Sequence, residues 1–229
     1  MSLTTLLLIP PALWMGYTWG AHLLTLGAIR RGPRSGRRVA LTFDDGPDLV
    51  HTPKLLDLLH EVGARGTFFL VGQRVSQARA LVRRIAAEGH EVGNHTWSHR
   101  NLWTCGPRET EREIERGHRI LEDVAERAPS WFRPPWGAVN LAVFRVIRRL
   151  RTPCVLWSVQ PEGLRPVPPD RLTSHLLTHA HPGAIVDLHD APGVRGAPER
   201  LLAALPSMLS GLRARGYELV PLGTLLSGA

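Results

Sequence analysis

The sequence predicts an α/β fold, with a parallel sheet and crossover helices that either stays open or closes to a barrel. Two observations predict it. From Arg38 onward, short apolar runs alternate with amphipathic stretches, the pattern of repeated strand–helix units. The polar residues that stand out, Asp44 and Asp45, His95, Arg133, and His189 with Asp190, recur where apolar runs stop. In both sheet forms, active sites collect at the C-terminal ends of strands. A length of 229 residues suits one domain with its core and a short extension.

Residues 3–29 carry no formal charge apart from a protonated His22. That is long enough for a membrane span of about 20 residues. Pro10 and Pro11 interrupt the run, but a proline is tolerated at a helix start, so 11–29 still reaches across. Trp14, Tyr17 and Trp19 favour membrane interfaces. No basic residue precedes the run and no clear small-x-small site follows, so the reading is an uncleaved anchor over 1–30. A buried amphipathic helix packed on the domain is the alternative. Residues 31–37, with Gly32, Pro33 and Gly36, read as a basic linker, and the domain proper runs over 38–229.

Within that domain the strand-like runs are 39–43, 67–71, 91–94, 131–133, 155–159, 184–188 and 217–221. Between them, Leu55, Leu58, Leu59 and Val62 share a helix face, as do Ile114, Leu121 and Val124, and Leu201, Leu205, Met208 and Leu212. The net charge of +8 is almost wholly arginine, Lys54 being the single lysine. The arginines are spread over the helices rather than gathered with aromatics, which argues against a nucleic-acid partner. Cys105 and Cys154 belong to no CxxC motif and read as free thiols.

Four stretches carry chemistry. Thr42-Phe43-Asp44-Asp45-Gly46-Pro47 ends a buried strand with adjacent carboxylates. Adjacent residues of an extended chain point apart, so one acid suits a cation and the other a proton; two solvated acids in a turn is the bland alternative. His95 and His99 lie four apart in HTWSH. On a helical turn they rise about 6 Å along one face, as two ligands of one ion require; two surface histidines is the other reading. Arg133-Pro134-Pro135-Trp136-Gly137 is stiff enough to aim an arginine and a main-chain N–H. His189 closes an apolar strand, where an imidazole can donate a proton to a leaving amine.

In this order, TFDDGP, HTWSH, RPPWG and DLHD resemble the polysaccharide deacetylases, the NodB homology domain of carbohydrate esterase family 4, over residues 38–222. The resemblance implies a distorted (β/α) barrel of about seven parallel strands, here preceded by the apolar helix. It implies one divalent metal, zinc or another transition ion such as cobalt, on Asp45, His95 and His99. It further implies Asp44 as general base, Arg133 as the group that orients it, the Trp136 backbone N–H as oxyanion donor, and His189 as general acid. Leu188, Trp136 and Trp157 are expected to line the substrate pocket, with Leu188 against the acetyl methyl group.

One motif departs from the family. After Trp157-Ser158-Val159, relatives carry D-x-x-D-W, whereas this chain has Gln160-Pro161-Glu162-Gly163-Leu164. Either Glu162 from a shifted position or Gln160 through an uncharged hydrogen bond then supports His189, and loss of the carboxylate lowers that histidine's pKa. The expected activity is metal-dependent removal of N-acetyl or O-acetyl groups from peptidoglycan or a chitin-like polysaccharide. A deacylase of a lipid-linked sugar and a glycan-binding protein with a degraded site are the alternatives. A cell-wall substrate calls for a membrane-anchored domain outside the cytoplasm, although Arg30, Arg31, Arg34, Arg37 and Arg38 follow the span and favour the inside.

Overall fold

The strand runs are apolar on both faces because the sheet they form is covered on both faces. A computed structural model describes residues 11–20, 27–163, 165–193 and 196–228. Its strands are β1 (Arg38–Asp44), β2 (Thr67–Leu70), β3 (Glu91–Asn94), β4 (Trp131–Phe132), β5 (Ala184–His189) and β6 (Glu218–Leu219). All pairings between them are parallel, in the order β4-β3-β2-β1-β5, with β6 beside the first residues of β1.

The crossovers are α2 (His51–Glu61), α3 (Gly72–Gln77), α4 (Arg79–Ala87), α5 (Pro107–Ala125), α6 (Leu141–Leu150), α7 (Pro169–His179) and α8 (Ala197–Ala214), with α9 (Leu222–Ser227) closing the chain. Leu55, Leu56 and Leu59 of α2 and Leu205, Met208 and Leu212 of α8 pack with Leu41 and Phe43 of β1. Each such side chain contributes roughly 1.5–3 kcal/mol when fully buried. On the opposite face of the sheet Ala40, Phe69 and Ile185 pack with Val220 and with Leu222 of α9 to form an apolar floor.

The fifth of the seven expected strands, 155–159, takes a different form. Only single bridges form here, Phe132 to Cys154 just before the run and Val159 to Val186 at its end. Ser158 N and Val159 N both donate to Ile185 O, at 3.0 and 3.2 Å, as in a bulge. Pro153 and Pro161 flank the run and have no N–H to give. The run still joins β4 to β5, linking the two edges of the sheet as a barrel requires.

The wall is completed from an unexpected direction. Ile29 N donates to Cys154 O and Leu156 N to Ile29 O, both at 2.8 Å, and Gly32 N donates to Gly183 O at 2.8 Å. Residues 29–32 thus sit in the wall between the 154–156 stretch and β5. Before them, α1 (Pro11–Met15) runs into a π-helical turn, Gly16–Gly20. Residues 1–10 and 21–26, much of the expected span, lie outside the described residues. No helix among the described residues is long and apolar enough to cross a membrane. Cys105 and Cys154 are both buried and free.

Candidate active site

Side chains alternate along a strand, and β1 and β5 run in register, Thr42 beside Asp187 and Asp44 beside His189. Above the apolar floor this alternation places Thr42, Asp44, Asp187 and His189 on one face, at the C-terminal end of the sheet. Asp45 follows at the turn out of β1, with φ 74°.

His95 and His99 follow β3, but not on a helix. The segment is a loop with Thr96 at φ 68° and His99 at φ 56°. Asn94 Oδ1 accepts from Thr96 N at 3.0 Å, and Thr96 Oγ1 from His99 N at 3.1 Å. Glu113 of α5 accepts from both Ser98 N and Ser98 Oγ at 2.8 Å. Local polar bonds have displaced the helical turn that the spacing suggested. Gly117 of α5 lets this loop lie close, since a Cβ there would meet the Asn94 side chain and the Thr96 backbone.

The loop still brings the imidazoles together. One ligand atom each from Asp45, His95 and His99 lies within 4.8 Å of the others. His99 Nε2 is 2.8 Å and His95 Nε2 3.5 Å from Asp45 Oδ1. His95 Nδ1 donates to Arg133 O at 2.7 Å, which turns Nε2 toward Asp45, the usual support of a metal-ligating histidine. Burial alone would push the Asp45 carboxyl up, but hydrogen bonds from His95 and His99 outweigh it and hold it well below the carboxylate range. One acid and two imidazoles suit zinc or a similar ion and leave a coordination position open. The residues fit a divalent cation.

Backbone strain is concentrated here. Six non-glycine residues have positive φ among those described; Asp45, Thr96, His99 and Trp136 belong to this site, while Glu126 and Arg151 cap helices. Such positions cost about 1–3 kcal/mol each unless their surroundings hold them. Arg74 of α3, which the sequence did not single out, is one such holder: it donates to Asp45 O at 2.8 Å and to Pro192 O at 3.1 Å.

Beside the ligands, Arg133 is wholly buried. Its Nη1 donates to Thr42 Oγ1 and Asp44 Oδ1, both at 2.7 Å, and to Asp187 Oδ1 at 3.2 Å. Nε and Nη2 donate to Val155 O and Leu156 O at 3.2 Å. A guanidinium this buried is stable only with such a full set of acceptors.

Of the two candidates for support of His189, Glu162 reaches it: Glu162 Oε2 lies 2.8 Å from His189 Nδ1. The expected loss of a carboxylate does not occur. Burial pulls the His189 pKa down, but the Asp187 charge, the Glu162 hydrogen bond and the Asp45 and Asp44 charges push it up to about 10. Gln160 turns instead to Asp187 and Trp157. Asp190, next along the chain, is buried, accepts from Thr52 Oγ1, and is pushed up to about 7 by burial.

Leu188 does not line the pocket as expected. It stands on the opposite face of β5 from Asp187 and His189, fully buried with Leu41, Phe43 and Leu201. Trp136 is 54% exposed, its ring 4.5 Å from that of His99. Trp157 is half-buried, 5.6 Å from the Arg133 guanidinium.

The family model for polysaccharide deacetylase matches residues 31–155. The chain is 36% identical over 194 residues to a peptidoglycan-N-acetylglucosamine deacetylase of Bacillus cereus, covering 85% of this chain and 70% of that one. It is 37% identical over 216 residues to a chitooligosaccharide deacetylase of Bradyrhizobium sp., covering 89% and 99%. A crystal structure of a peptidoglycan N-acetylglucosamine deacetylase bound to a hydroxamate superposes with a TM-score of 0.82 at 34% identity, covering 87% and 92%. Motifs, site and likeness over most of the chain agree: the protein belongs to the polysaccharide deacetylases, the metal-dependent hydrolases of carbohydrate esterase family 4.

Proposed function

We propose that this protein removes N-acetyl groups from the amino sugars of peptidoglycan or of a chito-oligosaccharide, with zinc as its cation. The observation that carries this reading is the placing of a spare carboxylate, Asp44, beside three convergent ligands, with its own arginine behind it. The relatives named above act on those two classes of substrate.

A divalent cation on Asp45, His95 and His99 supplies Lewis acidity and makes water more acidic at the site. Asp44, held through Oδ1 by Arg133, keeps Oδ2 to take a proton from the attacking water. The backbone N–H of Trp136 donates to the oxyanion as the water oxygen bonds to the amide carbon. His189, kept protonated by Asp187 and Glu162, gives a proton to the departing nitrogen as the C–N bond breaks. Acetate and a free amine result. Trp136, beside His99, and Trp157, beside Arg133, offer faces for sugar rings. A cell-wall substrate would call for a domain outside the cytoplasm, and we propose that placement for the peptidoglycan reading.

The test is acetate release by the full chain with Zn²⁺ or Co²⁺ on acetylated chito-oligomers and on peptidoglycan. Release from either supports the reading; release from neither overturns it.

A further inference from the structure

Asp187 is an acidic residue in the middle of an apolar strand, 1% exposed, and the steps above use it only through its effect on His189. Its surroundings decide its state. Trp157 Nε1 donates to Gln160 Oε1 at 3.1 Å. An indole nitrogen is only a donor, so this contact fixes which end of the Gln160 amide is oxygen. The amide nitrogen must then face the other way, and it lies 3.1 Å from Asp187 Oδ2. Asp187 Oδ1 accepts from Arg133 Nη1. Both oxygens of Asp187 are therefore acceptors.

The same Nη1 also serves Asp44 Oδ1 and Thr42 Oγ1. Thr42 gives its own proton to Val186 O at 2.6 Å, so it too faces Arg133 as an acceptor. With Nε and Nη2 held by the main chain of Val155 and Leu156, Nη1 is placed by the balance among Thr42, Asp44 and Asp187.

We propose that Asp187 is a positioning residue for Asp44 that acts through Arg133, and that the hydrogen-bond chain Trp157–Gln160–Asp187–Arg133–Asp44 ties a wall of the substrate pocket to the general base. The inference rests on the reading of Asp44 as that base. It gives a geometric reason for Gln160 at a place where the family motif has an aspartate: this chain carries the carboxylate on β5, and the amide serves it.

Asp187→Asn is the direct test because the shape is kept. Arg133 offers only donors, so the asparagine must turn its oxygen to Arg133 and its NH₂ toward Gln160. Gln160 then flips, and the Trp157 indole N–H loses its acceptor. The expected result is a shift of the Trp157 indole signal in a ¹H–¹⁵N spectrum, assigned with Trp157→Phe. A fall in kcat of roughly tenfold or more should accompany it, with KM within about twofold and metal content unchanged.

Adding Gln160→Glu restores an acceptor for both Trp157 and the asparagine, and should recover the indole signal and kcat to within about threefold of wild type. A single variant with unchanged indole signal and kcat overturns the proposal, and so does a double variant that recovers neither. If Asp187→Asn does not fold, Gln160→Ala decides instead, since Gln160 is exposed. It must move the indole signal and lower kcat, or the proposal falls. The indole signal is read without turnover. A wild-type protein inactive on every acetylated glycan would therefore count against the proposed function, while the spectrum still judged the hydrogen-bond chain.

Discussion

Asp44 and Asp45 are neighbours, yet the two halves of the site that they begin are held in different ways. The ligand half, Asp45 with His95 and His99, stands on loops, with both Asp45 and His99 in the left-handed region and polar bonds from Asn94, Thr96 and Glu113 fixing the turn. The proton half, Asp44 with Arg133, Asp187 and His189, stands on strands or directly after one and is held by buried ionic hydrogen bonds. Strain aims the groups that grip an ion, and ion pairing aims the groups that move protons. The halves should therefore fail separately.

The largest effect is expected in the ligand half. His95→Ala should strip the cation and abolish turnover, with metal measured by mass spectrometry on dialysed protein. A variant that kept its metal would remove His95 from the ligand set. Asp44→Asn should lower kcat by about 10²–10⁴-fold and leave metal content unchanged. Loss of metal there would merge the two halves and reverse the roles of the two aspartates.

A third change sharpens the proton half. His189, raised to about 10, holds its proton through the neutral range, so acid catalysis should fade only as pH rises toward that value. Glu162→Gln removes one of the groups that raise it. The alkaline limb of the kcat profile should then move to lower pH, with the acid limb unmoved; an unmoved alkaline limb would take Glu162 out of the acid's support. The smallest effect belongs to Glu113→Ala, which frees Ser98 and loosens the histidine loop. Metal affinity should fall about tenfold while kcat at saturating metal holds, as a titration with Zn²⁺ would show.

The proton half was only partly legible in the sequence. Polar residues at the ends of apolar runs marked Asp44, Arg133 and His189, because strand-end position follows from local pattern. Asp187 was in plain view as a charge inside an apolar strand. Counting by two from His189 puts it on the catalytic face and sends Leu188 to the other. In the ligand half, the four-residue spacing of His95 and His99 suggested a helix. The loop that forms instead depends on Glu113 of α5, a contact made by packing and carried by no local signal. The bulged 155–159 run shows the same limit, since its bridges depend on the strands beside it.

The wall that backs this site reaches to Ile29, well ahead of the first strand. A shortened version starting at Arg38 would leave Cys154 O, Leu156 N and Gly183 O facing solvent where Ile29 and Gly32 now meet them. Those groups border the stretch whose carbonyls, at Val155 and Leu156, hold Arg133. Trimming at the apparent start of the domain would thus disturb the base through its arginine, and a preparation meant for assay should begin no later than Ile29.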